Sequence, residues 1–390
     1  MTQMAERLDH PRRPSASRAV DAPRTSGPVK WWAAVGAVYL VVMVAVLTRW
    51  VLSPLFKTVP VGPSPVPTFM KVAVVFFEVI SIPAVLAAFY FLVVRPWRRE
   101  GKLSVDGALV IAFATLWFQD PLSAYSGTWF TYNAWALNYG SWVNSVPYAT
   151  GKAAPGAMIV EPILIVPGAY VYCFVVAMFA GSWVMRTARN RWPQLSAVKL
   201  AAICVGAMWG FDVVLEGVMF MPLGIWEYPG GHFNIFPNTY HKFPLTEMIT
   251  AGSAFAAVAI LRFFKNDRGE TLADRGVESL KVSDRRKSVL RALAMVGAVN
   301  VLFFVLYNVA NTWTATRMAD WPVDFQKRSY LTNGLCGAGT DQMCPGPAVP
   351  QFRNNNHDPN GGSAHLDPNG NLVVPPNTTL PSMVPFDRGK

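Results

Sequence analysis

Residues 31–52 read WWAAVGAVYLVVMVAVLTRWVL, an almost unbroken apolar run. A helix needs roughly 20 such residues to cross the hydrocarbon core of a bilayer. This run is too long for a signal-peptide core and follows a polar stretch, so the sequence predicts a membrane helix here and not a cleaved leader. Comparable runs follow at about 70–94, 105–124, 159–184, 197–220, 243–264 and 288–310. The one at 105–124 is the least clear, because its clean stretch extends only from Ala108 to Phe118 before Gln119, Asp120 and Pro121 interrupt it. Composition agrees with a bilayer as solvent. Of 390 residues, 52% are hydrophobic and 15% charged, which is too apolar for an ordinary soluble domain.

Lys and Arg collect on the cytoplasmic side of short membrane loops. Arg12, Arg13 and Arg18 precede the first run, and Arg95, Arg98, Arg99 and Lys102 separate the second from the third. Arg186, Arg189 and Arg191 separate the fourth from the fifth, and Arg285, Arg286 and Lys287 the sixth from the seventh. The loops between hold little more than Lys57, Lys152 and Lys242. Removing the third run would merge a basic cluster with a sparse loop and destroy this alternation. The expected fold is therefore an all-α, polytopic transmembrane bundle of about seven helices, with the N-terminus cytoplasmic and the C-terminus outside. The formal charge of +11 is topological: the basic residues are spread between apolar runs and not gathered into a stripe with interleaved aromatics, so no nucleic-acid partner is expected.

Three regions follow from this reading. Residues 1–28 are a polar, basic arm without apolar periodicity, expected to be disordered. Residues 29–311 form the membrane domain, with an aromatic-rich outer loop at 125–156. Residues 312–390 form an extracytoplasmic tail, largely irregular. Cys173 and Cys204 lie inside apolar runs, where the residue packs as a small hydrophobe. Cys336 and Cys344 are close enough in the tail to close a small disulfide loop in an oxidising compartment.

Several chemistries have no anchor. The sequence contains no phosphate loop, dinucleotide glycine fingerprint or Gly-x-Ser-x-Gly motif, and its histidines lack metal-site spacing. Neither a cofactor nor a metal is expected. Carboxyls are what remain. Ionisable side chains within membrane helices are costly and mark functional sites by default. Glu78, Asp120, Glu161, Asp212, Glu216 and Glu247 all lie in or at the ends of the predicted helices, and all map to the outer half or rim.

Asp212 and Glu216, in Phe211-Asp-Val-Val-Leu-Glu216, share one helix face with about 6 Å of rise between them. Trp209 falls on that face. No basic residue is placed at their depth, and His241 and Lys242 are the nearest candidates in the topology. A buried carboxyl without a cation favours its neutral form and suits general acid work. Glu161 and Glu247, beside Pro162 and Pro244, also fit a plainer role as carboxylates complementing the helix dipole in a first turn. Asp120, followed by Pro121, also fits a plain helix end. Candidate catalytic residues are thus Asp212, Glu216, Glu247, Asp120 and Glu161.

The outer loop supplies Trp129, Tyr132, Asn133 and Trp142, and the stretch before the sixth run supplies Tyr240 and His241. Aromatics at this level commonly anchor to the headgroup belt. They also suit a lid over a cavity, with aromatic walls for an apolar ligand and Asn and Tyr giving hydrogen bonds. With Trp209 these are the candidate substrate contacts.

At these residues the sequence resembles the AveC-type spirocyclase family. The resembling patches are Phe118-Gln-Asp-Pro-Leu-Ser-Ala-Tyr125, Thr128-Trp-Phe-Thr-Tyr-Asn133, Asn138-Tyr-Gly-Ser-Trp142, Glu161-Pro162, Phe211-Asp-Val-Val-Leu-Glu216 and Tyr240-His-Lys-Phe-Pro-Leu-Thr-Glu247. The resemblance implies a membrane enzyme that closes a dihydroxyketone polyketide into a spiroketal, or dehydrates it, in a bacterial cytoplasmic membrane. The expected partners are an apolar small-molecule substrate and membrane lipid. A carrier of a lipid-like molecule, using the same acidic cavity for recognition, is the competing reading.

Overall fold

A computed structural model describes residues 27–147, 159–340 and 343–345, with a strand pair at His365–Leu366 and Leu372–Val373. Most of the N-terminal arm, part of the outer loop and most of the tail lie outside the described residues. Six helices among them are long and apolar enough to cross a membrane: α1 (Val29–Val51), α2 (Thr68–Glu100), α4 (Ile165–Arg191), α5 (Ala197–Leu223), α6 (Leu245–Phe263) and α7 (Asp284–Thr316). The apolar stretches of α1, α2 and α5 are mostly exposed, only 17%, 17% and 22% buried. Those of α4, α6 and α7 are 56%, 56% and 50% buried and form the interior. Exposed apolar helix faces of this extent suit contact with lipid, and helices satisfy their own backbone there.

The third predicted run takes a different form. It is a 12-residue helix, α3 (Val105–Leu116), continued by a 3₁₀ segment, Trp117–Ala124, that contains Pro121. Ser104 caps it by accepting a hydrogen bond from the Gly107 amide at 3.0 Å. Val105, Ala108, Leu109, Val110, Ala112, Phe113 and Leu116 are buried, so α3 is covered on most sides. At its first residues, Asp106 takes both arms of the Arg262 guanidinium at 2.9 and 2.8 Å, and Arg291 joins Asp274 at 2.7 Å and the Leu103 carbonyl at 2.9 Å. At its far end, the Trp142 indole donates to the Phe118 carbonyl at 2.8 Å. The first end thus meets the last turn of α6, and the 3₁₀ end meets the last turns of α7.

Close helix contact comes from small residues. A Cβ on Gly36 of α1 would lie 2.0 Å from the Leu293 carbonyl oxygen, and one on Gly297 of α7 would lie 2.2 Å from that of Trp32. The two glycines let the α1 and α7 backbones touch, as in other membrane helix pairs.

Over one end of the bundle sits a small polar and aromatic cap. Strand β1 (Thr131–Tyr132) pairs antiparallel with β2 (Trp226–Glu227), and β3 (Asn234–Ile235) with β4 (Phe243–Pro244). Two boundaries differ from the sequence reading. Glu161 and Pro162 precede α4 and do not lie in its first turn; Pro162 bridges to Asn138, so Glu161 cannot complement that helix dipole. The last helix runs to Thr316, and the segment after it folds onto the cap through buried Trp321, Phe325, Tyr330, Leu331 and Leu335. It contains the short helices α8 (Val323–Gln326) and α9 (Ser329–Thr332). Cys336 and Cys344 are joined by a disulfide, as their spacing predicts.

Candidate active site

Immediately after Asp212, the α5 backbone widens into a π-helical segment, Val213–Phe220. Such segments recur at functional sites because they re-aim side chains without ending the helix. This one presents Glu216 to an aromatic-walled cavity. Asp120, Glu216 and Glu247 line this space together with Tyr132, Tyr170, Tyr228 and Tyr307. Phe130, Phe174, Phe255, Phe303 and Trp226 form apolar walls, and among the described residues no Lys, Arg or His lines it.

Each carboxyl is held differently. Asp120 receives the Tyr170 hydroxyl on one oxygen at 2.7 Å and the Tyr132 hydroxyl on the other at 2.9 Å. Glu216 receives Tyr228 at 2.6 Å and, more weakly, the Trp226 indole at 3.3 Å, both on one oxygen. Register explains part of this: Tyr132 and Trp226 are direct cross-strand partners, so their side chains leave the same face of the β1–β2 pair. Glu247, in the first turn of α6, has only long contacts from Thr250 at 3.3 Å and Asn311 at 3.4 Å. Its other oxygen has no hydrogen-bond partner among the described residues, while Tyr228 and Tyr307 line the same cavity.

Glu161 is buried beside Asp120 without lining the cavity. Burial, reinforced by the neighbouring Asp120 charge, pushes the Glu161 carboxyl well above the usual carboxylate range. Two carboxyls so placed oppose each other's ionisation. Asp212 is fully buried, and neither of its oxygens has a hydrogen-bond partner among the described residues. It lies behind Glu216 and does not line the cavity.

The remaining candidates divide similarly. Tyr132 lines the cavity. Trp129 stacks on Tyr228 with ring centres 5.2 Å apart, one layer back. Asn133 clamps the cap, donating to the Gly224 carbonyl at 2.8 Å and accepting from the Trp135 amide at 3.0 Å. Trp142 packs with Trp50 and Trp117 away from the cavity. Trp209 bonds Ser253 across α5 and α6 at 3.0 Å. Tyr240 bonds the Pro222 carbonyl at 2.7 Å, with the His241 ring packed beside it. Lys242 donates to the Asp320 carbonyl at 2.9 Å and does not reach the cavity. Glu78 accepts from the Leu137 amide at 2.7 Å and holds the outer loop.

Tyr170 and Tyr307 were not foreseen from the sequence. A hydroxyl inside an otherwise apolar helix was their signal, since a buried Tyr oxygen needs a partner. Phe174, Phe255 and Phe303 gave none, being indistinguishable from ordinary packing residues.

Comparison with known families gives one finding: the family model described as Spirocyclase AveC-like matches residues 97–331. That span includes every residue lining the cavity. No curated protein and no solved structure matches the chain.

Proposed function

Because the chain belongs to the AveC-like spirocyclase family, we propose that the cavity closes an apolar, uncharged dihydroxyketone into a spiroketal by acid–base chemistry without a cofactor. The observation that carries this is the convergence of three carboxyls on one aromatic cavity whose lining holds no cation. A site of this polarity repels anionic head groups and accepts a neutral polyketide or lipid-like chain along its Phe walls.

After hemiketal formation, in which the attacking hydroxyl's proton passes to the ketone oxygen, the reaction needs two proton transfers and one stabilised cation. One substrate hydroxyl adds to the ketone to give a hemiketal. The hemiketal hydroxyl takes a proton and leaves as water, which produces an oxocarbenium ion. The second hydroxyl attacks that carbon and gives up its proton, so the product differs from the substrate by one water. Glu216 and Glu247, with Tyr228 between them, are suited to pass the proton out to the leaving hydroxyl and take one back. Asp120, braced by two tyrosine hydroxyls, faces the developing positive charge. Dehydration of a hydroxyketone uses the same groups.

We also propose seven crossings with the N-terminus in the cytoplasm. Support comes from α3, whose first residues meet Arg262 and Arg291 while its 3₁₀ end meets the outer cap. Purified protein incubated with a dihydroxyketone should form a spiroketal lighter by one water. Recovery of unchanged substrate under conditions where it binds would refute the enzymatic reading.

A further inference from the structure

The second charged cluster of the outer cap lies directly behind the cavity. Along β2 and its continuation, Trp226 and Tyr228 both donate to Glu216, so the intervening Glu227 leaves the opposite face. Glu227 is fully buried there, and neither carboxylate oxygen has a hydrogen-bond donor among the described residues. Its cross-strand partner Thr131 is also fully buried, with its hydroxyl unpaired. The charges facing Glu227 are those of Arg328 and Asp324, from the segment that follows α7.

Arg328 is fixed from several sides. Its guanidinium donates to the Tyr330 hydroxyl at 2.7 Å and to Asp324 at 3.0 Å, and it lies over the Tyr240 ring at 4.4 Å. The third donor, Nε, is buried with no acceptor. An unmatched donor on a cation and two unmatched acceptors on a carboxyl thus lie near one another in the cap, where α9 packs on β1, the strand paired with β2. Burial pushes the Glu227 carboxyl up while Arg328 pulls it back. Leaving both ends unpaired costs more than the net gain of an ordinary hydrogen bond, and a gap too long for a direct bond is commonly filled by water.

We propose that Glu227 and Arg328 form a latch, closed through a bridging water, that holds the strand aiming Tyr228 at Glu216. Both are positioning residues: neither faces the cavity, and their effect reaches it through Trp226 and Tyr228. The segment beyond the last membrane helix is then a working part of the site. Its consequence for turnover rests on the acid–base reading above, but the placement of Tyr228 can be read without substrate.

The test uses the full chain with fluorotyrosine incorporated at Tyr228, whose fluorine resonance reports the hydroxyl's bond to Glu216. Glu216→Gln supplies the reference shift. In Glu227→Gln and in Arg328→Lys, which retains the charge but not the planar fork, the resonance should move toward that reference. The double variant should move no further than either single one, because one latch is lost only once. With a dihydroxyketone as probe, kcat should fall about tenfold with KM within about twofold. An unmoved resonance in either folded variant overturns the latch, as do full additive shifts in the double. If one variant does not fold, the other decides by the same reading. A moved resonance in protein that turns over no dihydroxyketone upholds the latch and refutes the function.

Discussion

Asp212 and Glu216 look equivalent as letters, two acids one turn apart on an apolar helix, yet they occupy different surroundings. Glu216 faces the cavity with two donors on one oxygen, whereas Asp212 is buried behind it without a partner among the described residues. The carboxyls that share the cavity with Glu216 are Asp120 and Glu247, the latter contributed by α6. Glu247→Gln should therefore lower turnover about 100-fold to 10,000-fold, as loss of a general acid or base does. Asp212→Asn should cost about tenfold or less, equivalent to ~1.4 kcal/mol in the barrier. Rates measured on folded protein check this order, and equal losses would return Asp212 to the reacting pair.

Glu161 gives a second prediction at this scale. Its folded carboxyl keeps its proton to higher pH than in the unfolded chain, because burial and Asp120 both oppose ionisation. Folded protein then binds more protons than unfolded protein above the ordinary carboxyl range, so stability falls as pH rises through that window. Glu161→Gln removes this contribution. Thermal unfolding followed from acidic to neutral pH should show the variant gaining stability relative to the parent as pH rises, and a constant difference would contradict the assignment.

Among the elements, α3 shows where sequence and structure part. Its hydropathy is interrupted at Gln119, Asp120 and Pro121, and a run of this kind reads as a poor membrane helix. The physical reason is that its neighbours, not lipid, surround it. Gln119 donates to Asn300 at 2.8 Å and accepts from Asn308 at 3.1 Å, and Asp120 is satisfied by two tyrosines. Polar groups paired inside a bundle need no apolar compensation. The seven-crossing topology is checked by cysteines placed at the exposed positions Lys102 and Pro147, on either side of α3. A membrane-impermeant reagent should label them from opposite sides. Labelling of both from one side would remove α3 as a crossing.

In the molecule as a whole, the lipid-facing helices were the legible part. Their length, their apolar content and the Lys and Arg at alternate ends are local properties that sequence displays directly. The acidic character of the site was legible too, since Asp120, Glu216 and Glu247 are costly wherever they are buried in a membrane protein. What could not be read was which carboxyls meet. That depends on the π-helical turn at Val213–Phe220, on the β1–β2 register and on the fold of residues after Thr316. All three are set by contacts distant in sequence. The aromatic loop illustrates the same limit, because Trp129, Asn133 and Trp142 brace the cap while Tyr132 alone of those four reaches the cavity.

The central claim is that the cavity carboxyls transfer protons to a bound substrate. It is tested most directly by measuring binding of a dihydroxyketone and its conversion on the same folded Glu216→Gln protein. The amide preserves the size of the side chain and an acceptor for Tyr228, but it cannot exchange a proton. Substrate affinity should stay within a few fold of the parent while spiroketal formation falls about 100-fold to 10,000-fold. Conversion at the parental rate, or weakened binding in a protein whose parent forms no product, would contradict it, the latter being the behaviour of a carrier.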